Sequence, residues 1–483
     1  RMLAQSKLLV GGDWITTDQT VPILNPYDDS LIAEVPVADE TVLDRAVASA
    51  QEAAEEMRLL PSHARAGILW RCTELIQTRA AEFVETIITE AGKPRRHAIA
   101  EVNRAIETLR FAAEEAGRIH GETVPLDAAR GSERRRGFYI RVPLGVIAAI
   151  TPFNFPLNLV LHKVAPALAA GNTVVLKPAT KTPLTALLLG RTLLEAGLPP
   201  KALNIVVGSG DTIGRAIVRD SRIRMITFTG SAAVGESIKA ESGLKRVALE
   251  LGSNSGAIVD ETADIDAALS RCLAGGFAYS GQICIHTQRL YLHNSIADEF
   301  IRRFVAGAEH LVIGNPADAE TEIGPMIDRG ALHRALKLVE EARAAGARVL
   351  CGGRAEGSIM LPTVITDVRP EMPVVCEETF APIVTVETFA SFAEAIAMFN
   401  AGSAMGTYDY GLACGVFTRD VNRALRAAEE LNVGNVYIND SATFRADHQP
   451  YGGIRDSGIG REGPRFAIEE MTDIKFISFN LDG

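Results

Sequence analysis

The chain has 483 residues, 47% hydrophobic and 23% charged, with 42 glycines and a formal net charge of -11. That length leaves room for two or more domains, and the acidic balance excludes a broad nucleic-acid-binding face while permitting a local basic pocket for a small anion. The six cysteines (Cys72, Cys272, Cys284, Cys351, Cys376 and Cys414) are sparse and lack CxxC spacing, which argues against a disulfide framework or a metal site and for a reducing, cytoplasmic compartment.

The opening RMLAQSKLLVGGDW offers three apolar residues before Gly11 and Gly12 and does not read as a signal peptide. The apolar run at 146–150 is too short to span a bilayer, so no membrane partner is expected. Residues 8–26 read as short strands broken by glycine and proline. Residues 39–57 repeat Val42, Ala46, Val47 and Ala50 at helical spacing. Pro61 opens a helix predicted to run to Glu90 and stop at Gly92, and a third helix covers 99–117. Residues 121–138 carry Arg130, Arg134, Arg135 and Arg136 and read as a surface arm, either a solvated face or an oligomer contact.

From Val142 short β-rich runs alternate with helical runs: VPLGVIAAI, NTVVLKP, LNIVV, MITFTG and residues 246–251. This alternation predicts a parallel sheet covered on both faces, with ligands at the carboxyl ends of its strands. After Asp264 a second α/β unit begins. Its expected parts are a helix at 265–277, GQIC at or near a helix start, the strand RLYLH, helices at 296–305 and 329–344, and a strand at 383–386. The tail, 468–479, reads as a helix end and then an edge strand suited to pairing.

Cys284 stands among small and polar neighbours, Ser280, Gly281 and Gln282, after Gly275 and Gly276. A cysteine is commonly an inert core thiol, but exposure at a helix start would stabilise its thiolate. Glu250 ends a strand, either at the surface or at the active rim of the sheet, and Gly252 beside it permits tight packing. Together they suggest a nucleophile and a base that activates water. Asn154 lies between two prolines and can donate to a developing oxyanion. Gly230 and Ser231 open a helix after a strand, a phosphate-binding arrangement, and Gly208 lies in a second glycine-rich turn. Neither matches GxGxxG, and each signal alone is weak. Lys177 ends a strand, where it either reaches a bound ribose or faces water.

These residues lie in a series of motifs: TPFNFP at 151–156, VLKPAT at 175–180, FTGS at 228–231, LELGSNS at 249–255, GQIC at 281–284, EETFAP at 377–382 and PYGGIRDSGIGREG at 450–463. In order and spacing they resemble the aldehyde dehydrogenase superfamily over residues 8–480. The resemblance implies an α/β fold with a parallel-sheet cofactor domain, an α/β catalytic domain and a small β oligomerisation arm. It divides the chain into a NAD(P)-binding domain (1–120 and 141–250), a catalytic domain (251–447), an arm (121–140 and 468–483) and a closing segment (448–467). It implies that Cys284 attacks the aldehyde, Asn154 holds the oxyanion and Glu250 activates water to release the acid. It places Lys177 at the adenosine ribose, Gly230 and Ser231 at the pyrophosphate, Glu378 at the nicotinamide ribose and Phe380 beside the ring, with Thr151, Phe153, Gly208 and Leu251 also along the cofactor. A homodimer or homotetramer is implied.

Thr180 departs from the glutamate with which many NAD-preferring relatives hold the ribose hydroxyls, so NAD and NADP are both expected. The resemblance implies a short aldehyde, hydroxylated or anionic, as the substrate. GSNS and the FRxDHxPYGG pattern resemble lactaldehyde- and phosphonoacetaldehyde-oxidising branches, and Arg104 and Arg445 match arginines that hold acidic groups. The competing reading is that Arg104 bridges helices and Arg445 pairs with Asp447. Phe155 stands where the phosphonate branch often has histidine, and His448 either orients a hydroxyl or braces its loop. Acylation by coenzyme A is the alternative reaction, disfavoured by Glu250, and a crystallin-like, non-enzymatic member is a further alternative, disfavoured by the presence of Cys284, Asn154 and Glu250 together.

Overall fold

The computed structural model describes residues 6–481. The domain limits at 1 and 483, and the first five residues of the opening RMLAQSKLLVGGDW, lie outside the described residues. The central runs become the parallel strands Val146–Ile150, Thr173–Lys177, Leu203–Ile205, Ile223–Thr229 and Arg246–Glu250. The first two are buried along their whole length, as strands covered on both faces must be. Val146–Ile150 lies between Thr173–Lys177 and Ile223–Thr229, so the strand order reverses direction there and a crevice opens beyond the carboxyl ends. Leu8–Val10 and Asp13–Ile15 close one edge, and Gly458–Ile459 closes the other by antiparallel pairing with Leu249 and Glu250.

Helix Glu40–Leu59 starts where the Asp39 carboxylate accepts from the Val42 N–H at 2.8 Å. The single helix expected from Pro61 to Glu90 is two, Ser62–Thr78 and Ala80–Ala91. No glycine or proline announces the break: Arg79 leaves helical geometry, and its guanidinium reaches Glu195, at the end of helix Leu184–Glu195, at 2.6 Å. Gly92 ends the second helix in the left-handed conformation, with φ 62°. Two buried carboxylates tie this layer to helices of the sheet. Glu90 accepts from the backbone N–H groups of Leu184 (2.7 Å) and Thr185 (2.9 Å). Glu101 accepts from those of Leu157 (2.9 Å) and Asn158 (3.1 Å) at the start of helix Asn158–Ala169. Both satisfy donors that a helix N-terminus leaves open.

The second unit is a seven-stranded sheet. Arg289–His293 is flanked by Gly256–Val259 and Ile383–Phe389, and the sheet continues outward to Asn435–Ile438 and Arg348–Cys351. A three-stranded arm joins Thr123–Val124, Arg135–Pro143 and Thr472–Asn480, the tail strand pairing antiparallel with Arg135–Pro143 from end to end. Among the described residues no helix is long and apolar enough to cross a membrane.

Candidate active site

Cys284 does not stand at a helix start. Helix Ile265–Phe277 ends before it, and the chain then turns through three residues of positive φ, Tyr279 (48°), Ser280 (55°) and Gly281 (68°). Such a run is strained and persists only where its surroundings fix it. The Tyr279 hydroxyl donates to the Ala91 carbonyl at 2.7 Å and the Ser280 hydroxyl to that of Gly324 at 2.8 Å. The Gln282 side-chain oxygen accepts from the Ile327 N–H at 2.9 Å. At Gly281 a Cβ would run into the Ala381 carbonyl group. The thiolate therefore has no helix dipole behind it, contrary to expectation. Burial instead pushes the thiol up to about 11, a hydrogen bond with Tyr451 and the charge of Arg445 oppose the rise, and Glu378 and Glu250 add to it.

Asn154 and Glu250 arrive from the other sheet. The Asn154 amide donates to the Gln282 carbonyl at 2.9 Å, two residues before the sulfur. Glu250 is buried, and one of its carboxylate oxygens has no hydrogen-bond partner. Burial, reinforced by the charge of Glu462, holds its carboxyl well above the usual range, against Arg445, Lys163 and Arg461. Gly452 borders this carboxylate so closely that a Cβ there would stand 2.9 Å from it.

A cavity of about 220 Å³ opens onto Cys284, lined among others by Lys93, Arg104, Phe155, Arg445 and Tyr451. The alternative reading, in which Arg445 pairs with Asp447, is not what the structure shows. Asp447 takes Arg104 instead, through Nη2 (2.7 Å) and Nε (3.1 Å), and is further held by Asn158 (3.0 Å) and His162 (2.9 Å). Arg445 pairs with Glu462 at 2.8 Å, its side chain only 5% exposed, and its Nε is a buried donor without a partner. Lys93, beneath the Phe155 ring at 3.7 Å, is neutralised by Glu101 at 2.5 Å. His448 is not part of this cavity: it is exposed, packs tilted against Phe111 with ring centres 4.5 Å apart and lines a separate surface cleft.

At the carboxyl ends of the first sheet lies a cleft of about 420 Å³, lined among others by Thr151, Lys177, Arg215, Phe228, Ser237 and Glu241. Burial pushes Lys177 down to about 8. The Thr151 hydroxyl in the cleft wall is buried without a partner. The Thr180 hydroxyl donates to the Gly208 carbonyl at 2.9 Å, so these two residues satisfy each other beside the cleft. Gly230 donates its N–H to the Glu250 carbonyl at 3.0 Å, and Ser231 is exposed at the N-terminus of helix Ala232–Glu241. Leu251 donates its N–H to the Ser457 carbonyl at 3.0 Å. Glu378 accepts from the Ser253 N–H at 3.0 Å, burial pushes it up to about 7, and only a glycine at 252 leaves it room. Phe380, at φ 46°, meets Phe153 edge to face at 5.9 Å. The orphaned hydroxyl, the buried lysine and the helix N-terminus fit a dinucleotide. Sequence reasoning missed Arg215 in this cleft and Tyr451 beside Cys284, although both lie within or next to the glycine-rich motifs it marked.

The aldehyde dehydrogenase family profile matches residues 14–477. The chain is 44% identical over 477 residues to 3-sulfolactaldehyde dehydrogenase of Priestia aryabhattai, covering 99% of this chain and 98% of that one. Among solved structures it is similar to aldehyde dehydrogenase 21 from Physcomitrella patens in complex with its product succinate (TM-score 0.95, 38% identity, 99% of each chain). It is also similar to glyceraldehyde-3-phosphate dehydrogenase from Methanocaldococcus jannaschii complexed with NADP (TM-score 0.91, 36% identity, 96% of this chain and 100% of that one). The chain belongs to the aldehyde dehydrogenase family. It is an NAD(P)-dependent enzyme of the non-acylating branch, which oxidises an aldehyde to its carboxylic acid, and the acylating and crystallin-like alternatives find no support.

Proposed function

We propose that this enzyme oxidises a short aldehyde carrying an anionic group. The observation that carries this reading is the unpartnered, buried Arg445 Nε in the wall of the small cavity that also holds Cys284 and Arg104. A buried cationic donor without an acceptor is costly, and an anionic substrate group would supply the acceptor. Asp447 engages Arg104 through Nε and Nη2, which leaves Nη1 outside that pair. The sulfolactaldehyde named for one relative and the succinate bound to another are both anionic, which supports the same class.

In this reading Cys284 Sγ attacks the aldehyde carbon and the carbonyl pair moves to oxygen, to which the Asn154 amide, now donating to the Gln282 carbonyl, turns as hydrogen-bond donor. NAD(P)+, when bound in the cleft above the sheet, supplies the hydride acceptor. Loss of hydride from the tetrahedral carbon leaves a thioester on Cys284. Glu250 takes a proton from the water that releases the acid. Lys177 and Arg215 in the cleft are the cations for a 2′-phosphate, and Thr180 adds no repelling charge, so NADP is accepted beside NAD. Exposed apolar side chains on both faces of the arm, Phe138, Ile140 and Phe479 on one and Ile474 and Phe476 on the other, support a homodimer, or a tetramer of two. Six free cysteines are consistent with a reducing, cytoplasmic setting.

The test is a set of initial rates with NADP and with NAD over sulfolactaldehyde, succinic semialdehyde, glyceraldehyde 3-phosphate, phosphonoacetaldehyde, lactaldehyde, propanal and benzaldehyde. Anionic aldehydes should lead the neutral ones by about 100-fold in kcat/KM, roughly 2.7 kcal/mol, and Arg104→Met should erase most of that lead. A neutral aldehyde in first place would refute the anionic class.

A further inference from the structure

Tyr451 is buried to 1% exposure, and a buried phenol must find a hydrogen-bond partner. The partner of this hydroxyl is the sulfur of Cys284, 3.2 Å away. Its backbone is pinned in both directions to Glu462, the Tyr451 N–H donating to the Glu462 carbonyl (3.1 Å) and the Glu462 N–H to the Tyr451 carbonyl (2.7 Å). The Glu462 side chain holds Arg445, whose guanidinium carbon lies 3.7 Å from the centre of the Tyr451 ring. A cation on the ring face draws electron density from the phenol and strengthens its O–H as a donor. The next residue, Gly452, packs against the Glu250 carboxylate. One turn thus sets the hydroxyl against the nucleophile and its backbone against the base.

We propose that Tyr451 is a catalytic residue whose phenol O–H donates to Cys284 Sγ and stabilises negative charge on the sulfur both before attack and when the sulfur departs. The proposal rests on the reading of Cys284 as the nucleophile. The sulfur needs such a donor because it is not at a helix N-terminus, is only partly open to solvent, and has the carboxyl groups of Glu250 and Glu378 in its surroundings. Before attack the thiol proton leaves to solvent and the Tyr451 O–H supports the thiolate. In attack the S–C bond forms and the carbonyl pair moves to oxygen. In release the water oxygen adds to the acyl carbon, its proton goes to Glu250, the C–S bond breaks and the electron pair returns to sulfur against the same O–H. The phenol keeps its proton throughout, since burial pushes its own ionisation well up.

The experiment is alkylation of the full-length enzyme by iodoacetamide from about pH 6 to about pH 10, read by mass spectrometry of the Cys284 peptide. Tyr451→Phe keeps the ring and removes the donor. It should move the alkylation profile up by about one to two pH units and slow alkylation near pH 7 by about tenfold or more, the effect of losing a hydrogen bond to a charged acceptor. A Tyr451→Phe profile superimposed on that of the native enzyme overturns the proposal. Should that variant not fold, 3-fluorotyrosine incorporated in place of tyrosine keeps the shape and makes the phenol a stronger donor. The Cys284 profile then moves down, and an unmoved profile overturns the proposal equally. Failure of the nucleophile reading shows separately, as native enzyme that still oxidises aldehyde after its Cys284 is fully alkylated.

Discussion

Gly281→Ala tests whether Cys284, the proposed nucleophile, is placed by a strained turn. A Cβ at this position would run into the Ala381 carbonyl group and stand 2.9 Å from the Pro382 nitrogen. Ordinary carbon contacts need about 3.5–4 Å, so the backbone of one segment must move by about 1 Å, and neither obstacle is a flexible side chain. The φ of 68° adds about 1–2 kcal/mol for any L side chain. Cys284 lies just beyond this turn, and a misplacement of about 1 Å at reacting groups costs about 100-fold. The expected result is a fall of about 100-fold or more in kcat/KM for the preferred aldehyde, about 2.7 kcal/mol in transition-state binding. The NADP cleft, built on the other sheet, should keep its affinity. Initial rates and a fluorescence titration with NADP on the same preparation measure both. A variant that retains activity within about threefold would refute the argument, because the turn would then have absorbed the methyl group without moving the sulfur.

Other substitutions test the remaining assignments. Glu250→Gln should stall the thioester, visible by mass spectrometry as an adduct on Cys284 after mixing with aldehyde and cofactor; undiminished turnover without an adduct counts against the base. The folded Glu250 carboxyl holds its proton to higher pH than the unfolded one, so its ionisation costs stability as pH rises above the ordinary carboxylate range. Glu250→Gln should therefore gain thermal stability relative to the native enzyme as pH rises through that window, and a constant difference in melting temperature would contradict the direction of the shift. Thr180→Glu should depress use of NADP more than use of NAD, and an unchanged ratio of the two kcat/KM values means that the 2′-phosphate lies elsewhere. Because Lys177 is pushed down to about 8, the KM for NADP should climb above about that pH while the KM for NAD rises less, and parallel profiles would remove the lysine from the phosphate.

Much of the architecture was legible because parallel strands buried on both faces leave long apolar runs and their carboxyl ends leave polar punctuation. Val146–Ile150, Thr173–Lys177 and Arg246–Glu250 advertise themselves in this way, so Asn154, Lys177 and Glu250 stood out as candidates before any contact was known. The break at Arg79 was not, because it depends on an ion pair with Glu195, 116 residues away. Nor was the side-chain pairing around the cavity. Arg445 has Asp447 two residues on in sequence yet reaches Glu462, while Asp447 reaches back to Arg104, 343 residues away.

By itself the sequence laid out most of the order of strands and helices and the glycine-rich turns, since periodicity and turn chemistry are local properties of the chain, and its motifs singled out Cys284, Glu250 and Asn154 as candidates for nucleophile, base and oxyanion donor. Only the tertiary structure decided how the sulfur is held. A glycine conformation at 281 was foreseeable, but the Ala381 backbone that requires it comes from a segment 100 residues on. His448 and Tyr451 lie three residues apart in one motif, and the fold sends one to the surface against Phe111 and the other to the Cys284 sulfur. Side-chain direction in a loop follows from the hydrogen bonds and packing that surround it, and those are made by residues distant in the chain.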